Sequence, residues 1–163
     1  MICSILDASP KPTIRPLYGG VTLSCAAHLI ERKIKMSEPI VFISNQRIKE
    51  GKLDGYKQYY RQVAEMTEAN KPGTVAHLAY LNEDGTELSI IHIFPDAESM
   101  ELHMQGVDEL AKKAYEFIEI ISFEIYGKPS DMVLDMMMQI AGSGVGLSIK
   151  PQRIGGYIRL RSG

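Results

Sequence analysis

The strongest constraint on the fold is the order in which strand-like and helix-like segments follow one another in the middle of the chain. Residues 39–48 are rich in Val, Ile and Phe, a composition that favours a strand. Residues 53–67 repeat apolar side chains at three- and four-residue spacing with charged residues between them, which predicts an amphipathic helix. Residues 74–81 and 87–94 are predicted to be two more strands, separated by a polar loop that suits a hairpin.

The segments that follow repeat the helix and strand pattern. A helix is predicted to begin at Asp96, a suitable cap, and to continue as far as residue 117 after an interruption at Gly106. Residues 118–126 are dense in isoleucine and predict a fourth strand. The order β-α-β-β-α-β is typical of an α+β, ferredoxin-like sandwich, in which both helices cover one face of the sheet.

Four segments of this region resemble the antibiotic biosynthesis monooxygenase (ABM) domain, in the order and spacing of that family. They are IKEGK at 48–52, EANKPGT at 68–74, YLNEDGT at 80–86 and FPDAESMELH at 94–103. The resemblance covers about residues 39–127. It implies a homodimer, because ABM domains usually pair sheet to sheet as a dimeric α+β barrel. The strand at 74–81 is apolar on both faces, as a sheet between helices and a partner requires.

The chain is predicted to divide into an N-terminal segment, residues 1–35, an ABM-like domain, residues 36–127, and a C-terminal extension, residues 128–163. Prolines and paired glycines crowd the N-terminal segment, so no regular element is expected before Val21. Clean patterning begins at Met36, which makes this residue one candidate for the natural start. The alternative is a real N-terminal arm that packs on a partner.

The C-terminal extension is dominated by a methionine-rich helix. Ser130 is a suitable cap for a helix over residues 131–141, whose side chains are nearly all apolar. Such a helix must be covered on most sides. Two roles are open for it: simple core packing, or a wall or lid over a ligand pocket. Residues 145–149 and 157–160 are predicted to be short strands.

Charge and hydropathy exclude two classes of partner. With 18 Lys and Arg against 20 Asp and Glu the net charge is −2, so binding to nucleic acid or to an anionic membrane has no electrostatic basis. No apolar run is long enough to span a bilayer. Basic residues follow the apolar stretch near the N-terminus, the reverse of a secretory signal. A cytoplasmic protein is expected, with Cys3 and Cys25 as free thiols.

Two polar residues are candidates for catalysis. The resemblance places His103 where ABM domains often carry a histidine, near the pocket between helices and sheet. A neutral imidazole there could accept the proton of a phenol; the alternative is a half-buried histidine with a local partner. The apolar run of the first strand is interrupted by Ser44 and then by Asn45, which is the second candidate. It could stabilise an enolate, or it could be an ordinary strand-end residue.

Other residues are candidates for the wall of a ligand pocket. If Leu81 pairs with Thr86 across the hairpin, His77 faces Ile90 and lies diagonal to His92 on one sheet face. Two histidines fall short of a zinc or iron site, which needs a third ligand, so no metal is expected and interior histidines with hydrogen-bond partners are the favoured alternative. Tyrosines are further candidates, either for the pocket or for ordinary core: Tyr56, Tyr59, Tyr60 and Tyr80.

The resemblance implies a monooxygenase that acts on a small aromatic compound, a phenol or quinol, without a cofactor. In such chemistry the substrate forms the electron-rich anion that meets oxygen, and the protein supplies a dry pocket, a base and an anion stabiliser. His103 is the expected base and Asn45 the expected stabiliser. The chain has no tryptophan, which argues against the haem-degrading branch of the superfamily. The alternative from another class is a non-catalytic or stress-associated dimer that binds a small ligand.

Overall fold

The computed structural model describes residues 38–106 and 112–157. The predictions made for the N-terminal segment and its cysteines, for residues 107–111 and for residues 158–160 lie outside the described residues. Within the described ranges, none of the helices has the length and apolar character needed to cross a membrane.

The first six elements have the predicted order β-α-β-β-α-β, and the extension adds a helix and a strand. The elements are β1 Ile40–Ile48, α1 Leu53–Asn70, β2 Ala76–Leu81, β3 Glu87–Phe94, α2 Ala97–Met104, β4 Ile118–Tyr126, α3 Asp131–Ala141 and β5 Gly146–Lys150. Two predicted caps are confirmed, because Asp96 Oδ1 accepts the Ser99 amide at 2.8 Å and Ser130 Oγ accepts the Val133 amide at 3.3 Å.

The strands form one sheet in the order β2-β3-β1-β4-β5. The pairs β2–β3, β3–β1 and β1–β4 are antiparallel, which is the ferredoxin-like arrangement that the sequence predicts. The extension joins this sheet, since β5 pairs in parallel with β4. The α+β fold and its C-terminal helix and strand are therefore confirmed.

The register of the β2–β3 hairpin differs from the predicted one. His77 pairs directly with His92 rather than with Ile90. The prediction was wrong because the loop lies one residue further along the chain: the Asn82 amide donates to the Glu87 carbonyl oxygen at 3.0 Å, so the hairpin closes around residues 83–86. The Thr86 amide donates to Asp84 Oδ1 at 3.0 Å, so Thr86 belongs to the loop and β3 begins one residue later. The consequence is that the two imidazoles lie side by side on neighbouring strands.

The sheet has an inner face that the helices cover. Every second residue of β1, beginning at Ile40, points to this face and is buried. Core side chains gather in two clusters, one near Ile40 and the other near Ile48, at opposite ends of β1. In α3, Val133 and Met137 are buried in the first cluster, so one face of this helix packs into the core.

Candidate functional site

A cavity of about 490 Å³ lies between the inner face of the sheet and the helices. Side chains from α1, α2, α3 and four strands line it, and most of them are apolar or aromatic. Its volume is in the range of pockets that hold small organic molecules. The inner face of the sheet and the helices therefore surround a space in which a few polar groups can orient an apolar ligand.

Four rings form the floor of the cavity, one from each of β2, β3, β1 and β4. The ring centroids of His77 and His92 are 4.5 Å apart. The Phe42 ring stacks on His92 at 5.6 Å and lies 5.5 Å from the ring of Phe123. Inward-facing side chains of paired residues on neighbouring strands lie next to one another. His77 and His92 are such a pair, and they are the first two rings of the row. One end of the floor is polar and the other is apolar.

A third imidazole completes a histidine cluster. His103, on α2, lies 4.7 Å from His92 and 6.4 Å from His77 between ring centroids. His92 and His103 are buried, at 6% and 8% exposure. Within the part of the chain that the structure describes, no set of His, Cys, Asp or Glu side chains is arranged to hold a metal ion.

Burial keeps all three imidazoles neutral near pH 7. Burial, followed by the nearby charges of His77 and Lys71, lowers the pKa of His103 to about 4. Burial lowers the pKa of His77, and burial together with the other two histidines lowers that of His92 well below its usual value. A neutral imidazole both donates and accepts a hydrogen bond, which is the property required of a proton acceptor.

Several polar atoms in and beside the histidine cluster have no hydrogen-bond partner. His103 Nδ1 lies 2.8 Å from Thr74 Oγ1, so this ring is held and its Nε2 is the atom that can meet a ligand. Both ring nitrogens of His77, Nδ1 of His92 and the hydroxyl of Tyr60 are buried without a partner in the described chain. Leaving a polar atom buried and unpaired costs about 1–3 kcal/mol, so these atoms indicate a polar ligand group at this end of the cavity.

The middle of the cavity carries a polar network whose members satisfy one another. Gln46 Nε2 donates to Ser44 Oγ at 2.9 Å, and the Tyr56 hydroxyl donates to Gln46 Oε1 at 3.4 Å. Burial raises the pKa of Tyr56, and it raises the pKa of Tyr60 to about 12. Both phenols therefore stay protonated at neutral pH and act as neutral hydrogen-bonding groups.

The structure brings together five of the six residues predicted for the site. Those that line the cavity are Tyr56, Tyr60, His77, His92 and His103. Tyr59 also lines it, whereas Tyr80 is 59% exposed on β2. Gln46 was missed by the sequence argument, and Ser44 was noted only as an interruption of the apolar run of the first strand. Their spacing could have identified Ser44 and Gln46 as inward-facing, because they follow Ile40 and Phe42 at every second position of β1.

Asn45 is the predicted residue that the structure does not bring to the cavity. Its neighbours Ser44 and Gln46 face inward, so its own side chain lies on the outer face of the sheet, away from His103. There its Nδ2 donates to Ser122 Oγ at 3.2 Å and to Glu124 Oε1 at 3.1 Å. The prediction that Asn45 and His103 lie in one pocket is therefore wrong, because a step of one residue along a strand turns the side chain to the opposite face of the sheet.

Comparisons with known proteins bear on the fold. No family model matches the sequence, and the comparison with curated proteins found no match. MupZ from Pseudomonas fluorescens superposes with a TM-score of 0.58 at 20% identity, over 74% of this chain and 96% of MupZ.

Two other solved structures align over a smaller share of the chain. A protein described as a candidate antibiotic biosynthesis monooxygenase, from Bacteroides thetaiotaomicron, aligns with a TM-score of 0.47 at 16% identity, over 54% of this chain and 85% of its own. SnoaB, a cofactor-independent oxygenase from Streptomyces nogalater, gives 0.49 at 13% identity, over 58% of this chain and 96% of its own.

The likeness to MupZ shows a shared fold, and its extent exceeds that of the other two alignments. The strand order β2-β3-β1-β4, with both helices on one face, is the arrangement that the resemblance to ABM domains implied. The chain therefore has an ABM-like fold, to which α3 and β5 are added at the C-terminus.

Proposed function

We propose that the protein is a monooxygenase that oxidises a phenol or quinol in this cavity without a bound cofactor. The observation that carries the proposal is the set of buried, unpartnered ring nitrogens at one end of an aromatic-lined cavity. The imidazoles are neutral, so a ring nitrogen can accept a phenol proton, and because burial also weakens them as bases the transfer requires groups that stabilise the phenolate. The ABM resemblance of residues 39–127 suggests the reaction class.

In the proposed reaction His103 is the base. Its Nε2 accepts the proton of the substrate hydroxyl, while Thr74 Oγ1 holds Nδ1 and fixes the ring. The phenolate supplies one electron pair to O₂, and a C–O bond forms at a ring carbon that carries hydrogen, which gives a hydroperoxide. Loss of the proton from that carbon then supplies the second electron pair, which forms the C=O bond as the O–O bond breaks. One oxygen atom stays as the new carbonyl of a quinone, and the other leaves as water with the two hydrogens that the substrate has lost.

The stabiliser of the substrate anion comes from residues other than Asn45 in this proposal. His77 has two unpartnered nitrogens, so as a neutral ring it donates one hydrogen bond to the phenolate oxygen. The Tyr60 hydroxyl, whose ring centroid lies 5.4 Å from that of His77, is a second donor at the same end. Such fixed donors in a dry site stabilise developing negative charge.

The test is oxygen uptake with a panel of phenols and quinols of one to three rings, each corrected for its uncatalysed oxidation. We expect uptake above the blank for at least one compound, with quinone formed in equal amount. Met138→Ala, at an exposed position on α3, is the matched control and should equal the wild type. Tight binding of panel members with no oxygen uptake from any of them would reject the oxygenase and favour the non-catalytic ligand-binding alternative.

We also propose that the chain works as a homodimer, paired through the outer face of its sheet. Apolar side chains occupy this face: Val41, Ile43, Leu78, Ile91 and Ile93. Leu78 pairs directly with Ile91 on β3, and even so 43% of Leu78 remains exposed. A sheet face of this composition is expected to be covered by a partner.

The dimer proposal predicts that a charge on the outer face separates the subunits. Ile91→Lys should shift the protein from dimer to monomer in light scattering at micromolar concentration, because a lysine buried in the interface would lack a partner. Met138→Lys makes the same change on α3 and should remain dimeric. A wild-type protein that is monomeric at high concentration would contradict the proposal.

A further inference from the structure

The unpartnered ring nitrogens of the cavity and the phenylalanine rings of its floor lie at opposite ends. The unpartnered nitrogens belong to β2 and β3, whereas the rings of Phe42 and Phe123 continue the floor toward β4. Neighbouring strands are about 4.8 Å apart, so three strand spacings separate β2 from β4 by roughly 14 Å. A ligand that places its oxygen near His77 and lies along this row of rings extends toward the β4–β5 side of the sheet.

The element at that far side is α3, which the ABM-like core lacks. Its side chains Met136, Met137 and Ile140 line the cavity. Met137 is 3% exposed and packs, like Val133, in the core cluster that contains Phe42 and Phe123. These two buried residues fix the helix on the sheet, and they leave its neighbouring face as the end wall of the cavity.

Met136 and Ile140 are the adjustable part of this wall. They lie four residues apart, on one face of α3, and both are only partly buried. Both also pack against the core cluster, but because they are only partly buried we expect a change of size to disturb the core less there than at Val133 or Met137. We propose that Met136 and Ile140 determine specificity, by setting the greatest length of a ligand whose hydroxyl end lies at the histidines. This inference rests on the proposed ligand site but not on its reaction with oxygen.

The experiment uses 4-alkylphenols from ethyl to octyl as probes, with Kd measured by calorimetry under nitrogen. For the wild type, Kd should fall about fourfold with each methylene until the alkyl chain meets α3, and then stop falling. The break is the alkyl length at which Kd stops falling. Met136→Phe should move this break to a shorter chain and weaken binding of the longest probe about tenfold. Met136→Ala should move the break to a longer chain.

Two further variants keep the result interpretable. Met138→Phe adds the same bulk at a position that is 57% exposed, and it should leave the break unchanged. Ile140→Phe repeats the test one turn away, in case Met136→Phe does not fold. A break at the same length in every variant, or an equal shift in Met138→Phe, would overturn the inference.

The outcomes separate this inference from the proposed reaction. If the break moves but no phenol consumes oxygen, the specificity role stands and the oxygenase is rejected. If the wild type binds none of the alkylphenols, the inference and the proposed ligand site both fail.

Discussion

Replacing His103 with alanine is expected to lower kcat/KM for phenol oxidation by about 10²- to 10⁴-fold, the contribution of a positioned general base. His103 is the imidazole whose Nδ1 is held by a neighbour, at 2.8 Å from Thr74 Oγ1, so its Nε2 is set for proton transfer. The measurement is steady-state oxygen uptake by the folded variant, with its melting temperature recorded alongside.

Two controls separate a base from a structural histidine. Thr74→Val keeps the imidazole but removes its hydrogen-bond partner, so a smaller loss of about tenfold is expected. Added imidazole should restore part of the activity of His103→Ala, since it can occupy the space left by the side chain. An alanine variant as active as the wild type would exclude His103 as the base.

Folding stability is expected to fall as the pH drops from about 6.5 toward 4. The pKa of His103 is lowered from 6.5 to about 4 in the folded chain, so below pH 6.5 the unfolded chain binds more protons than the folded one. Stability conferred by the neutral ring is therefore complete above pH 6.5 and is lost as the pH falls. From His103 alone the loss by pH 4 is about 3 kcal/mol.

Urea unfolding at pH 7 and pH 4 measures this effect. His77 and His92 have lowered pKa values as well, so the loss in the wild type should exceed that from His103 alone. His103→Gln removes one titrating group and should lose about 3 kcal/mol less than the wild type over the same interval. Equal pH dependence in the two proteins would show that His103 is not held neutral by burial.

Much of the fold was predictable because short segments of the sequence carry clear local signals. The helix over Leu53–Asn70 follows from the spacing of its apolar residues, and the strand over Ile40–Ile48 follows from its content of Val, Ile and Phe. His77 and His92 were expected on one sheet face, and they share it although the register differs by two residues. A shift by two residues preserves the face of each side chain, which explains why the wrong register still placed both histidines in the cavity.

The position of Asn45 could not be predicted, because β1 is apolar on both faces. Val41 and Ile43 are as suitable for a core as Ile40 and Phe42, so composition does not decide which set points inward. In the structure Ile40 and Phe42 are the residues that point inward, where they pack against the helices. The inward polar residues are consequently Ser44 and Gln46.

The role of α3 was also open in the sequence. A nearly apolar helix indicates burial, but it does not tell which surface covers the helix. The structure shows both roles in one element, since Val133 lies in the core and Met136 lines the cavity. This combination depends on the parallel pairing of β5 with β4, a long-range contact that local periodicity does not reveal.

The most direct test of the proposed reaction is mass spectrometry of the product formed under ¹⁸O₂, with the best phenol of the panel. The proposed mechanism predicts one heavy oxygen atom in each quinone, a second heavy atom in water, and no hydrogen peroxide. A quinone that contains no heavy oxygen, or turnover that proceeds equally well without oxygen, would contradict it.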